Sequence, residues 1–287
     1  MIKNVAILTD STAGIPIQWL EQYGIQVIPL RVHWEATTFL DGVDLMPDQF
    51  YRDLPNCKHL PTTSQPPLQN FYQAFNNLAE HSEGILVPLI SSGISGTVAM
   101  AQAAAREYDH LSIEVIDTRT SAMGQALIIL AAAKAAQQEK SLQEVKSVAD
   151  RVIQRMRVFF TVETLKYLHQ GGRINGASRF MGTALDIKPI LTINSAGKID
   201  ALERVRTRKK VLQRMITLAD VTANGKPIHA AIAHAGDPYS AELLRAEVQR
   251  HFDCVDLVTV EFSPVIGVHL GPGAMGFALY TDEEQSI

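Results

Sequence analysis

Short apolar runs alternate with helical stripes along the first half of the chain. Val5-Ala6-Ile7-Leu8-Thr9 is an apolar run closed by Asp10, and Ile15 to Tyr23 has helical spacing, with Pro16 suited to a first turn. Gln26 to Val32 reads as the next strand, and Pro47 to Leu54 and Leu68 to Glu80 read as helices. Ile85 to Ile90 predicts a strand, Val98 to Tyr108 a helix, and Ser112 to Ile116 a strand ending at Asp117. The Ala-rich stretch after Ser121 predicts a buried helix. Ser141, with Glu144 three positions on, is a capping box opening a helix to Met156.

From Phe159 the pattern changes. Phe159-Phe160-Thr161-Val162 is strand-like and a helix follows to about His169. Pro189 to Asn194 and Lys198 to Arg204 flank Ser195-Ala196-Gly197, which reads as a hairpin. A helix from Thr207 to Ala219, strand Ile228 to His234, helix Ser240 to Phe252 and strands Asp256 to Phe262 and Met275 to Tyr280 complete the series. A hairpin mixed with βα units implies a mixed sheet. The expectation is an α/β protein of two domains, a parallel βα unit over residues 1–156 and a mixed-sheet unit over 157–287.

Composition narrows the class. Hydrophobic residues make up 46% of the 287, enough for a large core, and 20% are charged, as in ordinary globular proteins. A net charge of -4 argues against general affinity for nucleic acid. Cys57 and Cys254 are far apart, so neither a disulfide framework nor a zinc site is indicated. The longest apolar region, Ala122 to Ala136, is interrupted by Gln125 and Lys134 and is too short to span a bilayer. The start, Met1 to Leu8, has no secretory pattern, so the cytoplasm is the expected compartment, with at most transient membrane contact.

Two hydroxyl-rich loops carry the candidate chemistry: Pro61-Thr62-Thr63-Ser64-Gln65-Pro66 and Ser91-Ser92-Gly93-Ile94-Ser95-Gly96-Thr97. The second lies between a strand and a helix, where backbone N–H groups and hydroxyls meet a positive helix end and suit a small anionic group. Turn and cap duty is the ordinary explanation of such residues. Asp10 and Asp117 end strands, where α/β sheets place ligand crevices, and capping the next helix is their plainer role. His229 and His234 are five apart on one strand, so they face opposite ways and cannot share a metal. Gly-x-Gly-x-x-Gly and the P-loop are absent. Gly93-Ile94-Ser95-Gly96 lacks the full nucleophile-elbow spacing. The basic run Arg204-Val205-Arg206-Thr207-Arg208-Lys209-Lys210 reads as a solvated helix start or an anionic-partner contact. Arg173 follows a helix end at Gly171-Gly172, and His269 falls between a strand and a glycine-rich turn.

Taken in order, Thr9-Asp10-Ser11-Thr12, the two hydroxyl loops, Val115-Ile116-Asp117-Thr118, Leu165-Lys166-Tyr167-Leu168 with Gly171-Gly172-Arg173-Ile174, Ile187-Lys188-Pro189-Ile190-Leu191, Val205-Arg206-Thr207-Arg208-Lys209 and Gly267-Val268-His269-Leu270-Gly271-Pro272-Gly273 resemble the DegV family of bacterial lipid-binding proteins. The resemblance spans essentially the whole chain. It implies a DegV-like fold with a long-chain fatty acid, such as palmitate or oleate, bound between the two domains. A threonine of the first hydroxyl loop and a serine of the second would hold the carboxylate, which maps onto Thr63 and Ser95. Arg173 and His269 fall on motifs near that head group. The family further implies no resident cofactor, the fatty acid being a ligand. The partner it implies is an ATP-dependent fatty-acid kinase, which phosphorylates the presented acyl chain. After Asp117, Thr118-Arg119-Thr120 departs from the common family pattern.

The leading expectation is therefore a non-catalytic fatty-acid carrier. Two alternatives stand beside it: a serine hydrolase of lipid esters using Ser95, His269 and an aspartate such as Asp10, and a lipid sensor acting through a protein contact.

Overall fold

A computed structural model describes residues 3–182 and 187–282. The expected start at Met1 and the last five residues of the expected second domain lie outside the described residues. The first half runs β1 (Lys3–Asp10), α1 (Ile17–Tyr23), β2 (Gln26–Ile28), β3 (Arg31–Trp34), β4 (Thr37–Leu40), α2 (Pro47–Asp53), β5 (Thr62–Ser64), α3 (Leu68–Ala79), β6 (Ser82–Leu89), α4 (Thr97–Ala105), β7 (Ser112–Asp117), α5 (Ala122–Gln137) and α6 (Leu142–Arg155). The second runs β8 (Arg157–Thr161), α7 (Lys166–Gln170), β9 (Lys188–Ile193), β10 (Ile199–Val205), α8 (Arg208–Ala223), β11 (Ile228–His234), α9 (Pro238–His251), β12 (Cys254–Glu261), α10 (Pro264–Leu270) and β13 (Met275–Thr281).

Strands β2-β1-β6-β7 form a parallel sheet, and β10-β9-β8-β13-β11-β12 form a mixed one in which only β11 and β12 run parallel. The period-two alternation of strand side chains stacks these sheets in layers. Ile85, Val87 and Leu89 of β6 pack with Phe71 and Phe75 of α3 and Val98 and Ala101 of α4, while Leu86 joins the central core. In the mixed sheet, Phe159, Ile232 and Phe277 meet α8 and α9, whereas Phe160, Ala231, Ala233 and Ala278 turn to the central core. That core is filled by α5 and α6. Helix α5 touches β1 and β6 of one sheet and β11 and β13 of the other, which explains why it is apolar on nearly every side. Gly124 sits where α5 enters: a Cβ there would lie 2.6 Å from Thr120 Oγ1 and 2.9 Å from Val158 Cγ2. The capping box at Ser141 and Glu144 is present.

Three segments differ from the sequence expectation. The run Gln26 to Val32 is two strands, because Pro29 cannot donate to the ladder and the chain leaves the parallel sheet there. It re-enters as β3, the middle of an antiparallel ribbon β4-β3-β5. The first hydroxyl loop is thus partly a strand, with Thr63 paired to Val32. His269 lies in the last turn of helix α10, started by Pro264 in its first turn and ended at Gly271, whose φ is 75°.

Candidate functional site

The loop after β6 is shaped by side-chain hydrogen bonds of Asp10, Asp117 and Ser91. Asp10, fully buried at the end of β1, accepts from the N–H groups of Thr12 (3.0 Å) and Ile90 (2.8 Å), from the amide of Gln125 (3.2 Å) and from the Thr12 hydroxyl. Burial pushes its carboxyl above the usual range, and the hydrogen bonds oppose that. It caps a 3-10 turn at Ser11–Ala13 rather than α1. Asp117 accepts from Ser92 N–H (3.2 Å), Ser92 Oγ (2.5 Å) and Arg119 N–H (2.8 Å). The Ser91 hydroxyl donates to the Gly197 carbonyl at 2.8 Å, tying the loop to the β9–β10 hairpin. Glycine is required at position 93, since a Cβ would stand 2.7 Å from the Gly197 oxygen. These contacts hold Ser95, whose N–H bonds the Ser91 carbonyl at 3.0 Å and whose hydroxyl lies 2.8 Å from Thr97 Oγ1.

Behind the two loops is a cavity of about 390 Å³, within the range of small-molecule sites. Thr63, Ser95, Arg173 and His269 all line it, so the four residues singled out from the sequence are brought to one chamber. Most of the remaining wall is apolar, with Ile90, Ala122 and Met123 from the first half and Val158, Phe160, Ile193 and Phe262 from the second. Of these, the sequence marked none as lining. Their signal was burial alone, which core residues share.

The polar end has a defined protonation pattern. His269 Nε2 is 2.8 Å from Thr63 Oγ1. Its Nδ1 is buried with no hydrogen-bond partner among the described residues. Burial first, and Arg173 second, push the imidazole down to about 4, so it is neutral at pH 7. An unpaired buried N–H costs more than an unpaired ring lone pair, which places the proton on Nε2. His269 then donates to Thr63, and the Thr63 hydroxyl is left to donate to another acceptor. Arg173 is fixed by the Ile94 carbonyl (3.2 Å from Nε) and the Gly171 carbonyl (2.8 Å from Nη1).

The hydrolase constellation is not assembled. His269 faces Thr63, Ser95 faces Thr97, and Asp10 is bonded to Thr12, Ile90 and Gln125. The basic run is not simply solvated either. Arg204 lies over the Phe180 ring at 4.6 Å, and Arg208 reaches Asp237 at 2.8 Å and the Gly273 carbonyl at 2.7 Å. His229 and His234 take different partners, Asp256 and Glu261. Among the described residues, no group of His, Cys, Asp or Glu could hold a metal ion, and no helix is long and apolar enough to cross a membrane.

A largely apolar chamber that also carries the Thr63 and Ser95 hydroxyls, lined by the loop after β6, the start of α5, the mixed sheet and α10, defines a class: an α/β protein with a cavity suited to an apolar ligand bearing a polar group. The chain belongs to the DegV family. A family model, described as an uncharacterised protein of the DegV family, matches residues 4–282. A DegV domain-containing protein of Listeria innocua is 35% identical over 278 residues, covering 96% of this chain and 98% of the relative. A solved DegV family structure from Thermus thermophilus, described by its fatty-acid binding, superposes with a TM-score of 0.93 at 31% identity, covering 97% of this chain and all of that one. DegV of Bacillus subtilis, described as a fatty-acid-binding protein, gives 0.89 at 32% identity, covering 98% of this chain and all of that one.

Proposed function

We propose that this protein binds one long-chain fatty acid in the cavity, tail among the apolar side chains and carboxylate at Thr63 and Ser95. The observation that carries the reading is one chamber with an apolar wall and two neutral hydroxyls, one of them oriented by His269. A sixteen-carbon chain has roughly fourteen CH₂ groups, and at about 0.8 kcal/mol each their burial yields on the order of 11 kcal/mol before association costs. Each hydroxyl bond to the carboxylate adds about 1.5–3 kcal/mol before desolvation. The tail thus supplies affinity and the hydroxyls fix direction. The two structural relatives described by fatty-acid binding support the ligand class.

The chain acts as a carrier in the cytoplasm, presenting the carboxylate to an ATP-dependent fatty-acid kinase that performs the chemistry. Arg173, held beside the head group, stabilises charge on the incoming phosphoryl group. The two domains, 1–156 and 157–287, contribute opposite walls. Mass spectrometry of lipid extracted from the purified protein tests the ligand: near one fatty acid per chain is expected. No extractable fatty acid, together with no uptake of added palmitate or oleate, refutes it.

A further inference from the structure

The wall of the chamber is braced from behind by a carboxylate that does not line it. Asp41, one residue after β4, is 1% exposed. The Ser11 hydroxyl donates to its Oδ2 at 2.6 Å, and the Val265 N–H donates to its Oδ1 at 3.0 Å. Ser11 Oγ in turn accepts from the Leu30 N–H at 3.0 Å, and the Asp41 N–H donates to the Leu30 carbonyl at 2.9 Å. Leu30 and Val265 are both wall residues of the cavity, and Val265 opens the helix that carries His269 at its other end. One side chain therefore joins the end of β1, the ribbon that bears Thr63 and the helix that bears His269.

The chemistry of the link is specific to a carboxylate. It accepts at both oxygens, so it takes both donors at once, whereas an amide of the same shape presents NH₂ to one of them. Burial drives the Asp41 carboxyl up to about 6, with Asp10 adding repulsion and the Ser11 and Val265 bonds opposing. A group raised above its ordinary 3.8 favours folding at low pH and loses that contribution as pH rises through about 6. The ionised Asp41 present at neutral pH is thus a burden on stability, and its value lies in what it holds.

We propose that Asp41 is a positioning residue for the ligand site: its carboxylate sets Leu30 and α10 against each other, and through α10 sets His269 and Thr63. The inference rests on the fatty-acid reading. Three other ionisable groups face this cluster: Asp10 from β1, Tyr51 from α2 and Glu261 from β12, all with pKa values raised chiefly by burial. Tyr51 stays neutral throughout, and both acids remain in the Asp41→Asn variant.

The test is a titration with cis-parinaric acid of parent and Asp41→Asn from pH 7.5 to pH 5, with thermal unfolding alongside. At pH 7.5 the variant binds about fivefold more weakly, because a loosened α10 must be ordered again each time the ligand binds. The parent-to-variant ratio then closes towards one by pH 5, because Asp41 is protonated there. Comparing the two at each pH cancels titration of the ligand. Unfolding temperature at pH 7.5 is equal to or above the parent's. A ratio of one at pH 7.5, or a ratio constant with pH, overturns the proposal. If the parent takes up no cis-parinaric acid, the fatty-acid reading fails, and this one with it. Should Asp41→Asn not fold, Ser11→Ala removes the hydroxyl that bonds both Asp41 Oδ2 and the Leu30 N–H, keeps the Val265 link, and weakens binding; unchanged affinity in that variant overturns the role.

Discussion

On the proposed reading, replacing Thr63 with valine separates two jobs of its hydroxyl, the bond to a ligand carboxylate and the bond to His269. Valine keeps the shape and suits strand β5, so the backbone pairing of residue 63 with Val32 persists. In the bound state the variant lacks one charge-assisted hydrogen bond, worth about 1.5–3 kcal/mol, or roughly 10- to 150-fold in palmitate affinity. In both free and bound states it leaves the His269 Nε2–H, now 2.8 Å from an oxygen, without a partner. That loss cancels in the binding equilibrium and appears instead as about 1–3 kcal/mol of lost stability. Calorimetric titration with palmitate and urea unfolding read the two effects apart, and Thr63→Ser restores most of both. His269→Ala weakens binding in the parent by releasing the Thr63 rotor. In the Thr63→Val background it should have little further effect on affinity, a coupling that a double-mutant cycle isolates. If Thr63→Val binds palmitate within twofold of the parent, the carboxylate is held elsewhere and the orientation argument for His269 falls with it.

Ser95→Ala should lower palmitate affinity by about 1–3 kcal/mol while leaving the fold intact, because the loop is held by Asp10, Asp117 and Ser91 instead; calorimetry showing parental affinity would count against its place in the site. Arg173→Ala should reduce acyl-phosphate formation, measured with a fatty-acid kinase and ATP, more than it reduces lipid affinity. Equal losses would make Arg173 a binding or folding element only. His229 stacks on Tyr280 with ring centroids 4.5 Å apart and bonds Asp256 at 2.6 Å and Asp282 at 3.2 Å. Burial pulls its pKa down, but the two carboxylates outweigh that and raise it above 6.5. Its contribution to stability is therefore present below pH 6.5 and lost as pH rises through the raised value. Urea unfolding of His229→Asn against the parent should show the largest deficit at pH 6 and the smallest near pH 9; a deficit independent of pH would refute the charged pairing. Asp256, also held by Lys134 at 2.9 Å and depressed to about 2, should lose its contribution only below pH 4.

Much of this arrangement was legible because local patterns agree with the layers they build. Leu86 and Val87 alternate between two cores, as a strand buried on both faces requires. Ser141 and Glu144 announce α6 through a bond pattern confined to one turn. The hydroxyl loops stand out because serine and threonine are dense there and the neighbouring elements are apolar. What was not legible has equally physical causes. Strand β5 spans only Thr62–Ser64, too short for alternation to register. Helix α10 is buried on all but its His269 face, so it has no polar stripe to set a helical period. The Asp41 brace joins residues 224 positions apart, and a lone Asp followed by Gly42 reads as a turn from sequence.

The two hydroxyls and the neutral His269 share the chamber with one cation, Arg173, and this bears on what the site is for. His269 is held near a pKa of about 4 and cannot contribute a charge at pH 7. Arg173 has two of its nitrogens committed to the Ile94 and Gly171 carbonyls, which fixes the guanidinium without pairing it to a protein carboxylate. A carboxylate bound as proposed is oriented by the hydroxyls, with the Arg173 cation in the same chamber. On the proposed reading, the apolar wall keeps the tail in place while the carboxylate stays chemically accessible.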